Sequence, residues 1–239
     1  ADKKFGFFQA EKERFTEVAS ELGLLQINTG KDVSFARHPL TFLVEAADDI
    51  CYTIIDFEDG INLGLVSEDF ALEYLTKLIS GINREKYYAL ATKEDRVSYL
   101  RALSINALID DAVRVFLENE AAILNGDFHM ALMEKSAYKA QISDIIKISI
   151  EKIYQSREVV EKEITGYAIL HKLLGIFCTA FINNLNGIPS NFDKLVLKLV
   201  PEKYKAPVTS PYQALLTVCC MVSGFTDGEV VNFKDRFIN

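Results

Sequence analysis

The sequence has little of what marks several common classes of protein. Lys and Arg number 26 against 34 Asp and Glu, which gives a net charge of −8. This charge argues against a general nucleic-acid-binding surface, which needs clustered basic residues, although a local basic patch stays open. The four cysteines include no CxxC pair. Their apolar surroundings predict buried, reduced thiols rather than disulfides.

Long apolar runs and alternating strand patterns are also scarce. The longest apolar runs, at about 173–182 and 214–222, are too short to span a bilayer, and no signal peptide opens the chain. We therefore expect a cytoplasmic protein without a membrane span. Hydrophobic residues still make up 49% of the 239 residues, which is enough for a sizeable core.

Helical periodicity dominates, and it predicts one all-α domain over residues 1–239 with about eight to ten helices. Pro39 opens an acidic helix at about 39–59, and Gly60 suits its end. Thr92 and Asp95 form a capping-box pattern before a long helix that ends near Gly126. Ser67 can cap a short helix to about 80, and Ser210 and Pro211 open a helix at about 211–223. Further helices are expected at about 8–22, 127–135, 138–155, 157–186, 190–199 and from 227.

The segment EAADDICYTIIDFEDG, residues 45–60, sets acids into this apolar helix. Asp48, Tyr52 and Asp56 are four residues apart and form one line along it. A helix that is apolar nearly all round is normally buried, so we expect a largely buried helix whose three polar side chains face one cavity. Buried carboxylates need a partner or a metal, and carboxylate oxygens suit Mg²⁺ or Mn²⁺. The alternative is a solvated acidic face on a surface helix.

Three arginines are candidate phosphate contacts. Arg37 stands at the entrance to the acidic helix, where it could bind phosphate or pair with the acids, and we slightly favour the structural role. Arg96 and Arg101 lie among apolar neighbours and need an anionic partner. That partner could be a triphosphate, a nearby Asp or a Glu of another helix.

A second polar line lies further along the chain. Glu163, Tyr167 and His171 repeat the four-residue spacing. A carboxylate can accept hydrogen bonds from the N1 and N2 protons of guanine, so Glu163 is a candidate base contact. We prefer the alternative, a helix surface in contact with its neighbours.

The segment RHPLTFLVEAADDICYTIIDFEDGINLGL, residues 37–65, closely resembles the corresponding stretch of bacterial deoxyguanosine triphosphate triphosphohydrolases of the HD-domain superfamily. The later segments YLRALSINALI, IYQSREVVEKEITGYAIL and VSGFTD resemble family segments in the same order. The resemblance implies hydrolysis of a dNTP, with dGTP expected, to a deoxynucleoside and triphosphate by a homo-oligomer that uses a divalent metal. It also implies that Asp48 is a metal ligand, and that Tyr52 and Asp56 contact the deoxyribose with the carboxylate on the 3′-hydroxyl.

The sequence departs from the family in its histidines. The superfamily signature is a His followed later by a His-Asp pair, and this chain has three histidines and no His-Asp pair. In the family, those ligands and the general acid/base His and Glu come from an N-terminal portion. The chain therefore resembles the C-terminal half, with no catalytic residue of its own, and we expect it to be inactive without that portion. The alternative is a non-catalytic helical module for nucleotide binding or oligomerisation.

Overall fold

The computed structural model describes residues 6–28, 33–79 and 81–237. It is 74% helical with a single two-stranded sheet, so the all-α prediction is confirmed. The chain forms two compact units, Ala1–Ser156 and Arg157–Asn239. The assignment of residues 1–239 to one domain stays a prediction.

The first unit holds most of the helices. They are α1 (Lys12–Glu21), α2 (Pro39–Asn62), α3 (Glu68–Leu75), α4 (Arg84–Ala89), α5 (Lys93–Glu118), α6 (Glu120–Leu124) and α7 (Lys139–Ile148). Short 3-10 turns lie at Gln9–Glu11, Thr76–Leu78 and Leu132–Lys135, and a π-helix covers Ser149–Tyr154. Strands β1 (Gln26–Asn28) and β2 (Ser34–Phe35) pair in antiparallel fashion.

Helix α2 carries the core of the first unit. It packs on α5 and also contacts α3, α7, the turn at Leu132–Lys135 and the π-helix. Ile54 and Phe57 of α2 are fully buried, as are Leu100 and Leu108 of α5. The apolar side of α2 is therefore held in place by segments that lie up to about 100 residues further along the chain.

The predicted caps agree with the structure. The Thr92 hydroxyl accepts a hydrogen bond from the Asp95 amide at 3.0 Å and begins α5, and Ser67 caps α3 in the same way. His38 also caps α2, because its Nδ1 accepts from the Leu40 amide at 3.2 Å. These bonds satisfy amides that have no partner inside the helix.

The prediction that Gly60 ends the acidic helix is wrong. Helix α2 continues through Gly60 to Asn62, and the turn falls at Gly64, which has a φ of +77°. Gly60 is buried inside the helix and faces Ile153, so its lack of a side chain serves packing rather than termination.

Other departures occur where helices break. The predicted long helix to about 125 divides at Asn119 into α5 and α6, and Gly126 follows with a φ of +77°. The helix expected at about 138–155 becomes the π-helix after Ile148. Helix α4 and the β1–β2 pair were not predicted, because each is too short to show a period.

The second unit has its own core. Its helices are α8 (Arg157–Leu185), α9 (Asn191–Lys198), α10 (Pro211–Ser223) and α11 (Asp227–Phe237), with a 3-10 turn at Glu202–Tyr204. Helix α8 contacts α9, α10 and α11, and Leu173 and Phe177 lie at the centre of the core. Ser210 and Pro211 begin α10 as predicted, since the Ser210 hydroxyl accepts from the Gln213 amide at 3.2 Å.

Helix α8 is long and apolar enough, by length and composition, to cross a membrane, and 28% of its most apolar 18-residue stretch is buried. Helices α10 and α11 are long and apolar enough only when they are taken together, and the chain bends by 111° between them. This is weak evidence for a membrane span, because the core helix of a protein in water passes the same test.

Candidate functional site

The α2 helix is buried along one face only. Phe42, Ile50 and Ile54 face the core, whereas Val44 is 70% exposed. Asp48, Tyr52 and Asp56 lie on the open side: Asp48 is exposed, Tyr52 is 56% exposed and Asp56 is half-buried. The predictions of a largely buried helix and of a cavity in front of these three side chains are therefore wrong for this chain. The reason is that the apolar residues on the open side of α2 are not covered by other described segments.

Asp48 does not form a metal site with the described part of this chain. No group of three His, Cys, Asp or Glu side chains that could hold a metal occurs among the described residues. Of the three histidines, His38 caps α2, and His129 and His171 are exposed. A single carboxylate is too few ligands for a catalytic metal, so this donor set alone does not fit one.

Asp56 belongs to a cluster with two tyrosines. The Tyr154 hydroxyl donates a hydrogen bond to Asp56 Oδ2 at 2.7 Å. The Tyr52 and Tyr154 rings lie 5.8 Å apart between centroids, with 33° between their planes. Burial, followed by the neighbouring Tyr52 and Asp56, raises the pKa of Tyr154 well above its usual range. The Tyr154 hydroxyl therefore stays protonated and continues to donate to Asp56 at neutral pH.

Tyr154 was not predicted from the sequence as a site residue. It is the last residue of the π-helix and lies 98 residues from Asp56. The segment that contains it was matched to the family, but no spacing rule connects residues so far apart. The wide turn of a π-helix is a frequent feature of functional sites, and it is not visible in a period of 3.6 residues.

Arg37 takes the structural role that the sequence favoured. Its Nη1 donates to Glu45 Oε2 at 2.6 Å, and its guanidinium carbon lies 4.2 Å from the centre of the Phe42 ring. A further hydrogen bond reaches the Met130 carbonyl at 3.4 Å. Arg37 thus ties the start of α2 to the loop after α6.

Arg96 pairs with a carboxylate of another helix. Its Nε and Nη2 donate to the two oxygens of Glu68 at 2.6 and 2.9 Å, and the Tyr87 hydroxyl donates to Glu68 at 3.1 Å. The hydrogen bond from Arg96 lowers the pKa of Glu68. The pair lines a cavity of about 360 Å³ whose other walls are Asp69, Leu72, Tyr87 and Tyr88.

Arg101 has a similar partner. Its Nη1 donates to the buried Glu58 at 2.9 Å, and its Nη2 donates to the Ser98 hydroxyl at 2.9 Å. For both Arg96 and Arg101, the structure thus contains the Glu of another helix that the sequence analysis named as an alternative to triphosphate.

Glu163 lies in the second unit, on α8, with Tyr167 and His171. All three side chains are exposed, and Tyr167 is 78% exposed. The four-residue spacing therefore places the three side chains in one exposed row on the surface of α8.

The cysteines are free, as predicted, but the prediction that they are buried is wrong. Cys51, Cys219 and Cys220 are exposed, and Cys178 is half-buried. Their apolar neighbours include side chains on the open faces of α2 and α10, such as Ile55 and Leu215.

Comparison with known proteins gives a consistent result, although no family model matches the chain. A deoxyguanosinetriphosphate triphosphohydrolase-like protein of Synechocystis is 35% identical over 226 residues, which cover 94% of this chain and 50% of the relative. A protein of the same description from Pseudomonas aeruginosa is 32% identical over 94% of this chain and 51% of its own length. A deoxyguanosinetriphosphate triphosphohydrolase of Klebsiella pneumoniae is 29% identical over 73% of this chain and 36% of its own length.

These similarities confirm the family resemblance, which extends over nearly the whole chain. The chain spans about half the length of the first two relatives. Over 94% of its own length, the chain is similar to deoxyguanosinetriphosphate triphosphohydrolase-like proteins.

Proposed function

We propose that this chain forms the deoxyribose-binding part of a dNTP triphosphohydrolase. The complete enzyme adds water to dGTP and releases deoxyguanosine and triphosphate. The observation that carries the proposal is the Tyr52–Asp56–Tyr154 cluster. Tyr52 and Asp56 lie on the open face of α2, inside the segment with the strongest family resemblance, and Tyr154 comes from the π-helix. Tyr154 occupies Asp56 Oδ2, so the other oxygen, Oδ1, is the one we assign to the 3′-hydroxyl of the sugar.

Asp48 is proposed as one ligand of a divalent metal, Mg²⁺ or Mn²⁺. Its exposed carboxylate lies two turns before Asp56 on the same side of α2. The remaining ligands and the general acid/base groups would come from residues outside this chain, in the N-terminal portion of the enzyme. We therefore expect no triphosphate release from dGTP by the 239-residue chain alone.

Phosphate contacts by Arg37, Arg96 and Arg101 stay predictions. Each guanidinium already donates to a glutamate, so a triphosphate would have to share it or displace the carboxylate. Contact of Glu163 with the base also stays a prediction. A cytoplasmic homo-oligomer is part of the proposal, and exposed apolar side chains on α8, such as Ile164 at 64% exposure, are suited to contacts between copies.

A second candidate is a non-catalytic helical module that binds nucleotide or mediates oligomerisation. The described residues contain no three-ligand metal group, and this candidate needs none. The two candidates predict different effects of substituting Asp48 and Asp56, because only the enzyme requires these two acids for turnover.

The test compares Asp48→Ala and Asp56→Ala in the complete protein that carries this chain. Asp48→Ala should remove metal binding and nearly all turnover. Asp56→Ala should leave the metal in place and narrow the preference for dGTP over dideoxy-GTP by roughly 1–3 kcal/mol, the cost of an unpaired buried polar group.

The measurements are kcat/KM for both nucleotides and metal content, with Asp59→Ala, an exposed acid of the same helix, as the control. If Asp56→Ala loses the metal, or keeps the full preference for the 3′-hydroxyl, the roles assigned to the two acids are wrong. If neither substitution changes turnover, the non-catalytic module is supported.

A further inference from the structure

Gly60 leaves a notch in α2 that a neighbouring side chain fills. A Cβ atom on Gly60 would lie 2.2 Å from Ile153 Cδ1 and 2.6 Å from Ile153 Cγ1. Real Cβ contacts are essentially never below 3.0 Å, so any other residue at position 60 would have to displace Ile153. Glycine weakens a helix interior, and its presence here is explained by this close approach.

Ile153 is the fifth residue of the π-helix and is buried, with 6% exposure. Its branched Cβ restricts the side chain to few rotamers, so it cannot readily turn away from α2. In the same turn, the buried Ser149 hydroxyl has no hydrogen-bond partner among the residues that the structure describes. We infer that the wide turn is held by packing of Ile153 into the notch.

The residue after Ile153 is Tyr154, which donates to Asp56 Oδ2. Asp56 lies four residues before Gly60, one turn away on the same side of α2. Two consecutive residues of the π-helix therefore contact two consecutive turns of α2, one through apolar packing and one through a hydrogen bond. The position of the Tyr154 hydroxyl depends on how deeply Ile153 sits against Gly60.

We propose that Gly60 and Ile153 are positioning residues that set specificity for the sugar hydroxyl. By seating the π-helix on α2, they hold the Tyr154 hydroxyl on one oxygen of Asp56 and so aim the other oxygen at the ligand. This inference rests on the proposed function for its ligand. A carboxylate fixed in this way discriminates against an analogue that lacks the hydroxyl, because its oxygen is then left unpaired.

The test is Gly60→Ala in the complete protein, with 3-fluorotyrosine placed at position 154. The added methyl should displace Ile153 and carry Tyr154 away from Asp56. The ¹⁹F resonance of Tyr154 should shift, and the preference for dGTP over dideoxy-GTP, measured as a ratio of kcat/KM values, should fall by about fivefold or more, which corresponds to one ordinary hydrogen bond.

The matched control is Gly175→Ala on α8. Gly175 is also inside a helix, but no atom lies within 4 Å of the position of its Cβ. This variant should leave both the resonance and the preference unchanged. The double variant Gly60→Ala/Ile153→Val removes Cδ1, the atom in closest contact, and conserves total volume. Because Cγ1, at 2.6 Å from the added Cβ, is retained, this variant should recover only part of the wild-type resonance and preference.

The inference is overturned if folded Gly60→Ala keeps the wild-type resonance and preference, or if the double variant is no better than Gly60→Ala. If Gly60→Ala does not fold, Ile153→Ala with Gly60 retained decides, since emptying the notch should also shift the resonance and lower the preference. If the wild-type protein hydrolyses neither nucleotide, the proposed function fails, and the ¹⁹F spectra alone decide whether Gly60 positions Tyr154.

Discussion

At the scale of single residues, two aspartates of the same helix face differ only in their surroundings. Asp48 is exposed, while Asp56 is half-buried and accepts a hydrogen bond from Tyr154. A partly buried carboxylate with one oxygen occupied has a restricted orientation, which suits recognition of a hydroxyl. An exposed carboxylate is free to join ligands from another part of a protein. The two side chains are chemically alike, so this difference arises from the π-helix.

Asp111 shows what a buried carboxylate contributes when its partners are internal. Its Oδ2 accepts from the Ser136 hydroxyl at 2.6 Å and from the Ala137 amide at 3.1 Å, and Arg114 donates to Oδ1. Burial acts to raise the pKa of Asp111, but the hydrogen bonds from Ser136 and Arg114 outweigh burial and lower the pKa. Asp111 thus ties α5 to the segment before α7.

We predict that Asp111→Asn lowers the free energy of unfolding by about 1–3 kcal/mol at pH 7. Because the folded-state pKa lies below the unfolded value of about 3.9, the stabilisation is fully present above that pH and is lost as pH falls through the folded value. Urea unfolding from pH 7 to pH 3 measures it. The wild-type and Asp111→Asn curves should converge at low pH, whereas exposed Asp110→Asn should follow wild type throughout; parallel curves for Asp111→Asn would contradict the prediction.

At the scale of elements, most helices of this chain begin where a side chain can accept from an amide of the first turn. Helix α9 has the most complete cap. The Ser190 hydroxyl accepts from the Asp193 amide at 3.1 Å, and Asp193 Oδ2 accepts from the Ser190 amide at 2.9 Å and from Asn183 at 3.0 Å. The same carboxylate thus caps α9 and joins it to the end of α8.

We predict that Ser190→Ala destabilises the second unit by about 1 kcal/mol, because the α9 amide loses its acceptor and Asp193 loses a donor. Ser190→Thr keeps the hydroxyl and should cost less. Chemical denaturation followed by circular dichroism compares the two. Equal losses for both variants would show that the hydroxyl is not what stabilises the start of α9.

At the scale of the whole molecule, the two units have separate cores. Leu173 is fully buried in the core of α8, α9 and α10, and it does not belong to the core around α2 and α5. Each core contains large side chains with no exposure, including Phe57 in the first unit. The units can therefore differ in stability.

We predict that Leu173→Ala lowers the stability of the second unit by about 2–5 kcal/mol through loss of buried surface and the cavity left behind. Hydrogen exchange should show loss of protection at amides of α8, α9 and α10, with the amides of α2 and α5 retained. Leu170→Ala, at a residue of α8 that is 42% exposed, is the control. Equal loss of protection in both units would show that they unfold as one.

The sequence by itself determined those features whose partners lie within about four residues. The helical content, the caps at Ser67, Thr92 and Ser210, and the single line of Asp48, Tyr52 and Asp56 all follow from spacing along the chain. The family resemblance could also be identified from the sequence, because the segment that carries most of it, residues 37–65, is continuous. These features depend on local hydrogen bonds and on one helical period, which the order of residues specifies directly.

Only the tertiary structure decided which side chains are buried and which distant residues they contact. The open side of α2, the role of Gly60 and the contact of Tyr154 with Asp56 depend on segments far apart in the chain. The glutamate partners of Arg96 and Arg101 lie 28 and 43 residues away. From the sequence, an apolar side chain is expected to be buried and a charged side chain is expected to have a partner of opposite charge. Which segment buries the one or pairs with the other depends on how the helices pack.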